Sequence, residues 1–150
     1  MKIADCALTD EVFSFISAST GRAYHWNTSK VGDAFAVGTL VGAAHMYMAL
    51  TEEGYLHVRE FNGIEEHHLD TISAERMKTP VFIAEFPPAP GEEHPSHVII
   101  DGNHRLVRAY RDGLRGIGAV LFSEESLQEF LIEDMPPPLA GYIAQEVLSK

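Results

Sequence analysis

Five consecutive residues combine chemical groups that could hold an anion: Asp101, Gly102, Asn103, His104 and Arg105. A glycine lets a ligand approach the backbone, and the first N–H groups of a helix that begins here would lack partners within the helix. His104 and Arg105 add side-chain donors suited to a phosphate. Asp101 suits another task, as acceptor for a hydroxyl, as metal ligand or as the residue that orients His104. The sequence therefore predicts a phosphate or nucleotide site at this turn.

The residues around the turn predict the elements that position it. Residues 97–100 form a β-branched run typical of a buried strand, and residues 103–112 follow with helical spacing. Arg108 lies one helical turn after Arg105, so it is predicted to extend the cationic face that binds the ligand. Residues 117–122 predict a second strand. The expected unit is strand, tight turn, helix and strand, with the site at the turn.

This unit resembles a known superfamily. The run D-G-N-H-R at residues 101–105 is similar to the D-G-x-H-R motif of the ParB/sulfiredoxin superfamily, and the likeness covers residues 80–122. It implies an α/β (α+β) fold with a small mixed sheet flanked by helices, and a nucleotide (ATP, ADP or CTP) whose phosphates lie against the motif. Asn103 stands where sulfiredoxins carry their catalytic cysteine, which argues against reductase chemistry. The motif is most similar to the free-serine-kinase branch.

Three functions are compatible with such a turn. The first is a kinase-like small-molecule phosphotransferase or an NTP hydrolase, with Asp101 and His104 catalytic and Mg²⁺ held by carboxylates. Glu60 and Glu85 are the further candidate carboxylates. The second is a nucleotide-sensing or protein-interaction module without turnover, and the third is a ParB-like nuclease, against which the acidic composition argues. A turn capped by Asp and Asn without any ligand is the alternative interpretation.

Composition and charge narrow the function classes. The 150 residues, 45% hydrophobic and 22% charged, predict one globular domain with an N-terminal extension (residues 1–54) and C-terminal helices (residues 123–150). A formal charge of -11 and a pI near 5.0 argue against a nucleic-acid partner. The single cysteine, Cys6, and acidic residues near the N-terminus favour a cytoplasmic protein. The longest uncharged run, residues 34–50, is interrupted by His45 and is predicted to pack internally, not to span a membrane.

The rest of the chain predicts further helices and strands. Helices are expected at residues 9–17, from Ala34 with Asp33 as cap, and at residues 73–77, 124–133 and 139–148. Residues 46–50 and 55–61 are expected to pair as a hairpin around T-E-E-G. Residues 80–86 predict a strand, residues 87–96 predict an irregular loop, and residues 22–30 show no clear period.

Acidic and histidine side chains crowd residues 65–70, E-E-H-H-L-D. Imidazole and carboxylate groups are zinc ligands, but this spacing does not match the helical H-x-x-x-H pattern of known zinc sites. The sequence therefore favours a solvated loop over a metal site, and no metal ligand is assigned here.

Overall fold

Helices and strands are mixed along the chain in the computed structural model, which describes residues 1–17 and 21–135. The strands are β1 (Val12–Ile16), β2 (Ala23–Asn27), β3 (Ala43–Ala49), β4 (Val81–Phe86), β5 (Ser96–Asp101) and β6 (Gly116–Ser123). The α-helices are α1 (Thr28–Ala36), α2 (Glu52–Phe61), α3 (Glu66–Leu69) and α4 (Asn103–Arg111), and short 3₁₀ helices cover Ile3–Asp5, Arg76–Lys78 and Glu125–Phe130. This mixed content confirms the predicted α+β class.

The strands form two sheets. β1 and β2 pair antiparallel, with Val12 opposite Asn27 and Ile16 opposite Ala23. The other four strands lie in the order β3-β6-β4-β5. β4, β5 and β6 confirm the strands predicted from their apolar runs, and β4, between two neighbours, is buried at every residue except Glu85. In the described ranges, 1–17 and 21–135, the helices all fall short of the length and apolarity that crossing a bilayer requires.

Contacts along the chain define two units. The first consists of Met1–Ala43, Ala84–His97 and Phe122–Lys150, and the second consists of Ala44–Ile83 and Val98–Leu121. The whole D-G-N-H-R turn belongs to the second unit, so its surroundings there decide what the turn can do.

An aromatic cluster fills the first unit. The rings of Tyr24 and Trp26, on one face of β2, stack with centroids 5.3 Å apart, and Phe86 lies 5.1 Å from Tyr24 and 5.7 Å from Trp26. The Tyr24 hydroxyl donates to Glu124 at 2.9 Å, so the buried ring has a partner for its polar end. β2 thus explains the aromatic residues 22–30, for which the sequence predicted no element.

Several predicted elements are wrong. Residues 9–17 contain β1 and not a helix, because pairing with β2 overrides the local pattern of a short segment. α1 begins at Thr28, where the Asn27 side chain accepts a hydrogen bond from Lys30 N–H at 3.0 Å, so Asp33 is not the cap. The helices predicted at residues 73–77 and 124–133 are 3₁₀ turns at Arg76–Lys78 and Glu125–Phe130. The helix predicted at residues 139–148 lies outside the described residues.

The predicted hairpin is half correct. β3 covers its first strand, but residues 55–61 belong to α2. The Thr51 hydroxyl accepts a hydrogen bond from Gly54 N–H at 3.0 Å, and Glu52 and Glu53 occupy the first turn, where acidic groups favour a helix. T-E-E-G is therefore a helix-capping sequence and not a hairpin turn.

α4 lies between the sheet and two other helices of the second unit. Ala109 packs with Val81 and Ile117 of the sheet, whereas Leu106 and Val107 pack in a separate cluster with α2 and α3. The rings of Tyr110 and Tyr55 stack with centroids 4.5 Å apart. Leu106 and Val107 are therefore buried against α2 and α3, whereas Ala109 faces the sheet, and this packing fixes the helix that follows the turn.

Burial of His25 predicts a pH dependence of stability. Desolvation lowers the pKa of this β2 side chain, whose Nδ1 lies 2.9 Å from the Ser14 hydroxyl. We expect the free energy of unfolding to fall as the pH drops below about 6.5, because His25 then takes up a proton in the unfolded chain but not in the folded one. The loss should continue down to the lowered pKa of the folded state.

Urea unfolding between pH 7.5 and 5, for the parent chain and for His25→Gln, measures this contribution. The difference in unfolding free energy between the two proteins should shrink as the pH falls, whichever other groups titrate. A difference that stays constant over this range would show that the folded environment leaves His25 protonation unchanged.

Candidate functional site

Gly102 makes the tight turn between β5 and α4. Its φ of +99° is left-handed, and a Cβ there would lie 2.9 Å from Nη2 of Arg105 and 3.1 Å from Cα of Val81. Glycine is therefore required both for the backbone conformation and for close packing against β4. Leu106 N–H donates to the Gly102 carbonyl at 2.9 Å, which starts the helix. Since glycine offers no side-chain cap, the positive end of α4 is not neutralised from this position.

Two of the predicted ligand-binding side chains contact the segment that follows α2. Asn62 Nδ2 donates to Asn103 Oδ1 at 2.8 Å, and Glu65 N–H donates to His104 Nε2 at 3.0 Å. A ring nitrogen that accepts carries no proton, so the neutral His104 carries its proton on Nδ1, which is then a donor. Both side chains are partly exposed. The structure therefore brings Asn103 and His104 together at the first turn of α4.

Arg105 is placed differently from the direct phosphate donor that the sequence predicts. It is only 3% exposed, and its Nε and Nη2 donate to the carbonyls of Thr79 and Pro80 at 3.2 and 3.0 Å. The Asp101 carboxylate lies 3.9 Å from Nη2. Arg105 thus ties the turn to the residues that lead into β4, which makes it a support for the site, beneath its surface.

Asp101 ends β5 and keeps a partly exposed side chain. Residues two apart on a strand share a face, so Asp101 lies on the same face of β5 as Ile99. Ile99 lines an apolar cavity of ≈ 390 Å³ in the second unit. The apolar residues of its wall are Met48, Ala49, Leu50, Tyr55, Val58, Ile99 and Leu106, and its polar residues are Thr51, Glu53 and His57. Leu106 belongs to the first turns of α4, so carboxylate, cavity and helix start are neighbours along the same two elements.

The other predicted arginine, Arg108, binds protein groups. Its Nε donates to Asp112 at 2.9 Å and its Nη1 donates to the Leu69 carbonyl at 2.6 Å. Arg111 similarly pairs with Asp70 at 2.7 Å. The predicted cationic face of α4 therefore holds the α3 segment, and the expected contact of Arg108 with a ligand stays a prediction.

Glu60 and Glu85 belong to elements other than the turn. On α2, Glu60 is about 200° around the helix axis from the buried Val58, since each residue turns the helix by about 100°, and it is exposed. Glu85 belongs to the first unit, where its Oε2 lies 3.0 Å from Nε2 of His97. Of the four predicted catalytic residues, the structure thus brings only Asp101 and His104 to the same turn.

Sequence patterns missed the residues that hold the turn from outside. Asn62, Glu65, Thr79 and Pro80 supply its hydrogen-bond partners, two through side chain or backbone N–H groups and two through carbonyls. Backbone groups carry no residue-type signal, and these segments are distant along the chain. Only Asn62, which follows α2 directly, could have indicated a hydrogen-bond partner for the turn.

Comparison with known proteins supplies no relative from which a function could be transferred. The chain matches no protein-family model, no curated protein and no solved structure. The likeness to the ParB/sulfiredoxin motif therefore depends on residues 101–105 and their strand–turn–helix setting alone, and it stays a prediction. What the turn can bind follows from its geometry.

Proposed function

We propose that this protein binds a nucleotide, ATP, ADP or CTP, with its phosphates at the start of α4, and transfers or hydrolyses the terminal phosphoryl group. The observation that supports this most is the juxtaposition on β5 and α4. A carboxylate, Asp101, shares a strand face with Ile99, which lines an apolar cavity of ≈ 390 Å³. A cavity of this size suits a nucleobase or a small acceptor, and the uncapped helix end beside it suits phosphate.

Each residue of the turn has a separate role in this proposal. Asn103 and His104 contact the phosphates, with the Asn103 amide nitrogen as a donor, because Asn103 Oδ1 already accepts from Asn62. Arg105 positions Asp101 from 3.9 Å and does not touch the ligand. Gly102 sets the direction in which α4 begins.

Asp101 accepts the proton of the attacking hydroxyl or water. A general base must lie within hydrogen-bond reach of that proton, so this role requires the phosphates to bind beside the carboxylate at the end of β5. Mg²⁺ would be held chiefly by the phosphate oxygens and water and would neutralise charge on the phosphates, which leaves Asp101 to act as the base.

A nucleotide screen tests the proposal. A ligand that binds only the folded chain stabilises it by about 2.7 kcal/mol at a hundredfold excess over Kd, which raises Tm by several degrees. We expect ATP, ADP or CTP to produce such a shift, with GTP as a comparison and with and without Mg²⁺. Adenosine and cytidine carry no phosphate, so they test binding to the cavity alone. They should shift Tm less than the nucleotides do. If none of these nucleotides changes Tm, the proposed function is wrong.

A nucleotide sensor without turnover is the second candidate. It is favoured by the buried, carbonyl-bound Arg105 and the protein-bound Arg108, which leave fewer cationic groups than phosphoryl transfer usually employs. Both candidates share the binding site and differ in the role of Asp101. The single, free cysteine suits the cytoplasm as the compartment that we propose for either function.

A further inference from the structure

Three side chains around the start of α3 hold their metal-binding atoms close together: Glu65, His67 and His68. Nδ1 of His68 lies 3.0 Å from Oε2 of Glu65, and Nε2 of His67 lies 3.7 Å from the same oxygen. The three ligand atoms all lie within 4.8 Å of one another. Two imidazoles and one carboxylate form a donor set that occurs in open, three-ligand zinc sites.

The spacing of these atoms suits coordination. Zinc bonds of about 2.0–2.2 Å at tetrahedral angles place neighbouring ligand atoms about 3.3–3.5 Å apart. The two distances to Glu65, 3.0 and 3.7 Å, lie on either side of that value. All three side chains are more than half exposed, so they can make the small rotations that would equalise the distances.

The backbone that presents these side chains is held at both ends. Glu65 N–H donates to His104 Nε2 at 3.0 Å, and the carbonyl of Leu69, which is fully buried, accepts from Arg108 Nη1 at 2.6 Å. Glu66 pairs with Arg59 and is not one of the clustered ligands. A fixed backbone lowers the entropy that the three ligands lose on binding.

We propose that Glu65, His67 and His68 form a binding site for a divalent transition-metal ion of the zinc class. Imidazole ligands select such ions over Mg²⁺ and Ca²⁺, which prefer oxygen. Three protein ligands leave a fourth position for water or for an oxygen of another molecule. The proposal rests on these three side chains and does not require the proposed nucleotide function. The prediction of a loop at residues 65–70 is wrong, since Glu66–Leu69 is helical, whereas the predicted exposure to solvent is confirmed for all of these residues except Leu69.

Metal titration of the full chain, free of affinity tags and of nucleotide, tests the site. We expect Co²⁺ to bind at one equivalent with the visible absorption of a low-coordinate site, and Zn²⁺ to displace it. His67→Ala, His68→Ala and Glu65→Gln should each weaken Zn²⁺ binding at least tenfold by calorimetry. Circular dichroism of each variant confirms that it is folded.

His97→Ala is the matched control, because His97 pairs with Glu85 at 3.0 Å as His68 pairs with Glu65. That pair lacks a third ligand within the described residues, so its loss should leave the one-equivalent binding unchanged. Equal weakening by His97→Ala and His67→Ala, or no binding by the parent chain, would overturn the proposal. Because the assay contains no nucleotide, its outcome does not depend on the proposed function.

Discussion

Replacing Asp101 by asparagine should lower phosphoryl transfer at least about 100-fold, the smallest usual contribution of a general base, while nucleotide affinity stays within a few-fold. Asparagine has the same size, so β5 and its turn should be retained. It cannot take up the proton of the attacking group. Release or transfer of phosphate, measured beside binding by calorimetry, separates the two effects.

Two further variants serve as comparisons for Asp101→Asn. Asp112→Asn makes the same change at the other end of α4, where Asp112 pairs with Arg108, and should leave both turnover and binding intact. His104→Ala should harm both, since it removes a phosphate donor and the acceptor for Glu65 N–H.

The sensor predicts a different pattern for the same variant. Removing a negative charge beside the phosphates should leave binding unchanged or tighten it, and there would be no turnover to lose. Tight nucleotide binding by the parent chain, without phosphate release or transfer to any acceptor tested, would decide for the sensor.

Truncating Arg105 to alanine should lower the free energy of unfolding by about 3 kcal/mol or more. The guanidinium is 3% exposed, and its loss would leave the Thr79 and Pro80 carbonyls without these donors and open a cavity beneath the turn. Urea unfolding at pH 7 measures the effect. Arg105→Lys should recover only part of it, because one ammonium group cannot reproduce the planar fork of donors.

Arg111→Ala is the control for that experiment. Arg111 pairs with Asp70 at 2.7 Å, but it is 40% exposed, and surface pairs contribute about 1 kcal/mol at most. Equal effects of the two alanine variants would contradict the structural role of Arg105.

Local patterns predicted residues 80–123 well and the first half of the chain poorly. At β5 and α4 a β-branched run, a glycine turn and a helical period all indicate the same elements, so the boundaries agree within one or two residues. Residues 9–17 and 55–61 are short and amphipathic, and their conformation depends on partners: β2 for the first, and the Thr51 cap with α4 packing for the second. Such long-range contacts leave no periodic signal.

For the candidate site, the sequence predicted the turn and its residue types but not the directions of the side chains. The sequence indicated correctly that residues 101–105 form one turn between a strand and a helix. It could not show that Arg105 turns inward, because its partners are backbone carbonyls of another segment. It also could not show that Glu65, His67 and His68 converge, because one short helical turn brings adjacent residues together without a recognised spacing.

Glu65 takes part in both proposed sites. Its backbone N–H binds His104 at the start of α4, and its carboxylate lies with His67 and His68. If a metal ion alters the Glu65–His104 bond and thereby changes nucleotide affinity, the nucleotide must change metal affinity by the same factor, because the four binding steps close a thermodynamic cycle. A coupling of about 1.4 kcal/mol would be a tenfold change in each affinity. Through Glu65, the concentration of free metal ion would then determine the nucleotide concentration at which half of the sites are occupied.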